Sequence, residues 1–180
     1  MDIQALTESI IALGAKKAEY ITADKIVTDR RFFDICKANQ CGNYGKCWTC
    51  PPDVGNIDEL IAKVKSFKGG ILYQYFGDIE DSLDIEGMAE VGKVHAALVQ
   101  KVNNEVVPQI TSRHFHLGAG GCRLCERCGK RDNIPCRHPD KALPSMESCG
   151  IDVYNTTKTT SLKYINGQNT VTYFGLVLFD

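Results

Sequence analysis

An α+β fold, a mixed sheet flanked by helices, is what this sequence predicts, and three observations predict it. Apolar residues recur at steps of three and four over Ile3–Lys17, Asp58–Phe67 and Ile85–Val107, which is the period of an amphipathic helix. Short apolar and aromatic runs at Ile71–Phe76 and Thr170–Phe179 suit buried strands. The two kinds of segment interleave along 180 residues, so residues 1–180 read as a single domain with one sheet.

Taken in order, Ile3, Leu6, Ile10 and Leu13 mark the first helix, which Gly14 weakens at its end. Ala18–Ile26 reads as extended, and Val27–Ile35 leads into a first cysteine group. Leu60, Ile61, Val64 and Phe67 give the second helix its apolar stripe, and Gly69-Gly70 punctuates before the Ile71–Phe76 strand. The longest helical pattern, Ile85–Val107, stops at Pro108, which cannot donate to a continuing helix. Arg113–Leu117 reads as a strand feeding Gly118-Ala119-Gly120-Gly121, then comes a second cysteine group, and Ser145–Thr160 suits one or two short helices. Ser161–Asp180 predicts a hairpin turning at Asn166-Gly167.

Composition narrows the function. At 43% hydrophobic and 24% charged, the chain matches globular proteins and excludes disordered and collagenous classes. A net charge of −1 gives no global attraction to nucleic acid or anionic lipid, no stretch is long and apolar enough to span a bilayer, and residues 1–15 lack the basic start of a secretory signal. A cytoplasmic protein is expected, with no nucleic acid or membrane partner. Nine cysteines in such a chain point to metal, because thiols in a reducing compartment bind metal more often than they form disulfides.

The strongest motif is Cys122-x2-Cys125-x2-Cys128-x7-Cys136. Three thiolates at steps of three wrap one corner of a compact cluster and a fourth closes it, as in the C-x2-C-x2-C opening of bacterial ferredoxins. Here the gap to the fourth cysteine is longer, and Arg137 stands where those proteins have proline. The first group, Cys36-x4-Cys41-x5-Cys47-x2-Cys50-Pro51-Pro52, is less regular. Its prolines stop a helix from following, which argues against a thioredoxin-like dithiol, and Gly42 and Gly45 would let backbone amides approach sulfur. Tyr44 and Trp48 could screen the site from water. The sequence therefore predicts two cysteine-rich loops, at 36–52 and 118–141, each holding a 4Fe-4S cluster. Structural zinc is the alternative at either.

Between Cys122 and Lys141, six basic residues face three acidic ones, a local excess that would favour a reduced cluster or dock an acidic partner. Cys149 is left over and suits plain packing. His114 and His116 would share one strand face, but no carboxylate or third histidine lies nearby in sequence, which favours a structural role. Gly118-Ala119-Gly120 is a weak dinucleotide signal, since Arg123 occupies the place of the third glycine.

Several segments together resemble a family of predicted metal-binding proteins common in anaerobic bacteria and archaea. They are Cys41-Gly42-Asn43-Tyr44-Gly45-Lys46, Trp48-Thr49-Cys50-Pro51-Pro52, Gly120-Gly121-Cys122-Arg123-Leu124-Cys125, Cys136-Arg137-His138-Pro139, and Pro144-Ser145-Met146-Glu147 leading to Gly150-Ile151-Asp152-Val153. The resemblance implies cysteines at positions 36, 41 and 50 and at 122, 125, 128 and 136, with Cys47 and Cys149 peculiar to this chain. A cluster held by four thiolates is closed and only passes electrons; one held by three leaves an iron open as a Lewis acid. The leading expectation is a ferredoxin-like electron carrier with a redox partner protein. The alternatives are an enzyme with an open-iron 4Fe-4S site for sulfur transfer or reductive chemistry, and a zinc-stabilised interaction module.

Overall fold

In the computed structural model, which describes residues 2–180, the sheet has four strands. They are β1 (Lys17–Thr22), β2 (Gly69–Asp78), β3 (His114–Leu117) and β4 (Thr170–Phe179), in the order β1-β2-β4-β3. Every pairing between them is antiparallel, which corrects the expected mixed sheet. The reason lies in β4. The helix between β2 and β3 sets those two strands running in the same direction, the arrangement that suggests a parallel pair, but β4 inserts between them and bonds to both.

The expected hairpin at Asn166-Gly167 is also corrected. β4 covers Thr170–Phe179 as expected, but its partners are β2 and β3, with Leu72 opposite Leu176 and His116 opposite Val177. Residues 161–169 are irregular because their side chains are engaged elsewhere. Ser161 N–H donates to Glu19 at 2.9 Å, Leu162 is buried in the core, and the Tyr164 ring stacks 5.9 Å from Phe174.

Alternation along the strands sends side chains to two cores. On one face α1 (Ile3–Ala12) and α4 (Ile85–Glu105) bring Leu6, Ile10, Leu98, Val99 and Val102 against Ile71, Tyr73, Val177 and Phe179. On the other, α3 (Ile57–Lys65) brings Val64, which joins Phe67, Met146, Cys149 and Ile151 against Leu72, Leu117, Leu176 and Leu178. The helix starts are capped by side chains: Asp2 accepts from Ala5 N–H at 3.1 Å, Asn56 from Asp58 N–H at 2.8 Å, and Asp84 from Gly87 N–H at 2.8 Å. Two shorter helices, α2 (Arg31–Lys37) and α5 (Val153–Thr157), complete the fold, and no described helix is long and apolar enough to cross a membrane.

Tyr73 crosses the sheet centre and fixes β3. Its hydroxyl lies 2.8 Å from His116 Nε2, while His116 Nδ1 lies 3.2 Å from Asn103 Oδ1. An amide oxygen only accepts, so Nδ1 carries the proton and Nε2 accepts from Tyr73. That gives His116 the structural role expected of it. Opposite Tyr73 stands Gly175, where a Cβ would fall 2.2 Å from the phenol ring.

Candidate metal centre

The first cysteine group begins on a helix. Cys36 occupies the last turn of α2, and the chain then reverses through Asn39, Gly42 and Gly45, at φ of 57°, 74° and 66°. This folding carries Cys36, Cys41 and Cys50 to the wall of one cavity of about 300 Å³, which Tyr44, Glu147 and Tyr173 also line. Cys47 is not on that wall. It is 3% exposed, and its sulfur lies 3.4 Å from Thr49 Oγ1. The amides of Gly42 and Gly45, expected to be free for sulfur, bond instead to Asn39 O at 3.0 Å and Pro51 O at 2.9 Å.

The second group is gathered by tight turns. Cys128 precedes a 3-10 turn, Gly129–Asp132, and Asn133 at φ 54° sends the chain back, with Ile134 N–H donating to Gly129 O at 3.0 Å. As a result Cys122, Cys125, Cys128 and Cys136, all partly buried, line one small cavity of about 20 Å³. Part of the local positive charge is neutralised here. Arg127 forks onto Asp132 at 2.7 and 3.0 Å, Arg137 donates to Arg127 O at 3.1 Å, and Lys130 pairs with Asp53.

The two groups, far apart in sequence, adjoin in space. Lys130, from the second segment, bonds to Asp53 and sits 4.5 Å above the Trp48 ring of the first. Trp48 Nε1–H donates to Ile134 O at 3.0 Å. Trp48 thus clamps the two segments, whereas Tyr44 takes the cavity wall and packs edge-on to Phe33 at 6.3 Å. The glycine loop at 118–121 passes between them, and a Cβ on Gly121 would fall 2.8 Å from the Asn43 amide. Gly121 serves this close approach, whereas Gly120, at φ 66°, serves the turn itself.

The sequence family of predicted metal-binding proteins (DUF2284) matches residues 19–179, a span that contains both cysteine groups and the whole sheet. The chain belongs to that family. No curated protein and no solved structure matches it.

In this predicted metal-binding protein the thiols are sharply differentiated. A hydrogen bond from Cys50, acting against burial, lowers Cys47 to about 5, and the same contact together with burial drives Cys50 far up. Burial pushes Cys122 up to about 11, and Cys36 is raised by burial, then by Cys41 and Glu147. Cys149 lies in the core, fully buried and pushed up to about 12 by that burial, as expected of a packing residue.

Among the described residues no three Cys, His, Asp or Glu side chains converge tightly enough to hold one metal ion. Cysteine thiolates suit either a zinc ion or an iron-sulfur cluster. In a cubane each thiolate binds a different iron, so the ligand sulfurs stand farther apart than around zinc. Four thiols line the second cavity, but about 20 Å³ is near the volume of one water-sized sphere, so a cluster there requires the partly exposed 122–136 loop to spread. The first cavity has room as it stands.

Glu147 went unremarked as a functional residue in the sequence. It lines the first cavity, one of its oxygens is buried without a hydrogen-bond partner, and burial raises its pKa. A carboxylate inside the apolar Pro144–Ile151 stretch was the available signal.

Proposed function

We propose that this family member is an iron-sulfur protein with two 4Fe-4S clusters that passes single electrons to or from a partner protein in the cytoplasm. The observation that carries the reading is that Cys122, Cys125, Cys128 and Cys136 line one cavity on a C-x2-C-x2-C frame. Bound there, a cluster supplies a one-electron store. The chain's own residues set its surroundings: Leu124 and Arg137 line the same cavity, and the positive charge of Arg137 beside the sulfurs favours the reduced form.

Cys36, Cys41 and Cys50 supply the thiols of the first site. The Trp48–Ile134 hydrogen bond and the Lys130–Asp53 ion pair set the two segments side by side, which supports a short relay between the sites. Neither site relies on nucleic acid or lipid. Anaerobic reconstitution followed by metal counting tests the reading: about eight irons per chain are expected, falling by about half in Cys125→Ser. A protein that takes up only zinc overturns it.

A further inference from the structure

We infer that the cavity between α4 and the glycine loop at 118–121 binds a small organic phosphate, a monoester whose phosphoryl group lies against Arg123, Lys93 and the loop and whose apolar body rests on α4. This goes beyond the electron-transfer reading and does not depend on a cluster.

The cavity holds about 290 Å³, the size for a small molecule. Its place follows from the chain. β3 runs directly into the loop, and Gly118 pins the loop's start: its N–H donates to Pro144 O at 2.9 Å and its carbonyl accepts from Met146 N–H at 2.9 Å. Across the gap α4 contributes Ala96 and Ala97, whose short side chains leave the space open.

Charge selects the ligand. Lys93 and Arg123 line the cavity, and no Asp or Glu does so among the described residues. Arg123 folds back over α4, with Nη1 3.5 Å from Ala89 O and as far from where a Cβ on Gly92 would stand. Lys93 follows Gly92 in the helix, so the two cations share one end of the cavity. Arg123 has no carboxylate partner among the described residues, and its charge reaches the buried His95 ring, which it helps to keep neutral. Lys93 pairs with Glu90, but the two side chains are 63% and 69% exposed, so that pair is weak and exchanges for a ligand at little cost.

The loop adds donors. Ala119, Gly120 and Gly121 line the cavity, and none of their N–H groups bonds to a backbone carbonyl. A phosphate monoester carries close to two negative charges at pH 7 and offers three acceptor oxygens, which matches two cations and a run of amides better than a carboxylate does. Elsewhere the wall is apolar, with Ala96, Val99 and Leu143, so an organic body gains from burial where bare phosphate does not.

Isothermal titration calorimetry on the full-length protein tests the site, with phenyl phosphate as the probe against inorganic phosphate, benzoate and phenol. Phenyl phosphate should bind at a single site, about tenfold or more tighter than each of the other three. Arg123→Gln should weaken it about tenfold by removing charge-assisted hydrogen bonds. Ala97 is an exposed helical position that tolerates charged residues, so Ala97→Glu should fold and weaken binding by about as much, whereas Ala97→Lys should not. Absence of phenyl phosphate binding, unchanged affinity in either Arg123→Gln or Ala97→Glu, or an equal loss in Ala97→Lys overturns the inference. Equal binding of inorganic phosphate, benzoate or phenol overturns the ligand class. Each of these results leaves the iron count, and with it the two-cluster reading, untouched.

Discussion

The indole Nε1–H of Trp48 donates to the carbonyl of Ile134 at 3.0 Å, joining two cysteine segments that lie 86 residues apart. Trp48→Phe keeps the ring but leaves that carbonyl without its donor. A stability loss of about 1 kcal/mol is expected. The informative measurement is iron release to a chelator. If the clamp positions the loop, release from Trp48→Phe is faster than from wild type; equal rates would show that the loop is held without it.

Beside that clamp, Lys130 and Asp53 form an ion pair whose side chains are only 22% and 15% exposed. Removing one partner strands the other, and one Asp53 oxygen already lacks a hydrogen-bond partner. Lys130→Met should therefore cost about 2–3 kcal/mol in chemical denaturation. Adding Asp53→Asn to it should recover part of the loss, since a neutral amide is cheaper to bury than a lone carboxylate. A double variant no more stable than Lys130→Met would rule out a buried-charge penalty.

The local signals of helix and strand were legible because they depend on residues close in sequence. Thr170–Phe179 is a strand end to end, and α4 ends at Glu105, ahead of a 3-10 turn, Val107–Gln109, that contains Pro108. What pairs with β4 was not legible. Asn166-Gly167 favours a turn, but Leu162 buries itself in the core and Tyr164, though exposed, stacks on Phe174, which leaves no partner strand, and the insertion of β4 between β2 and β3 is a contact across about a hundred residues. The same limit applies to the site. Spacing grouped Cys122, Cys125, Cys128 and Cys136, and all four line one cavity, because three-residue steps constrain the backbone strongly. It also grouped Cys47 with Cys36, Cys41 and Cys50, but Cys47 is buried beside Thr49 and does not line their cavity.

Cys149 separates packing from metal binding among the nine cysteines. It is fully buried among Val64, Met146 and Ile151, away from both cysteine-lined cavities. Cys149→Ser buries a hydroxyl in an apolar core and should lower stability by about 1–3 kcal/mol. Iron content should stay at the wild-type level. A drop in iron at a temperature where the variant is folded would make Cys149 a ligand and displace this account.

Two imidazoles make stability depend on pH. Burial, with the Arg123 guanidinium adding to it, lowers His95 from 6.5 to about 4, and burial lowers His116 from 6.5 to about 3. The folded chain thus binds fewer protons than the unfolded chain between these values and 6.5, so stability is lost as pH falls below 6.5. At pH 5 the loss is about 2 kcal/mol for each imidazole. His95 is the cleaner test, because its Nε2 has no hydrogen-bond partner and its ring stacks 5.7 Å from Tyr173 and 6.3 Å from Tyr73. His95→Phe keeps the stack and removes the titration. Unfolding free energies from urea titrations at pH 7 and pH 5 should differ less for this variant than for wild type, by about the 2 kcal/mol assigned to one imidazole. An unchanged difference would mean that the acid sensitivity comes from other groups and that His95 is protonated at little cost in the folded protein.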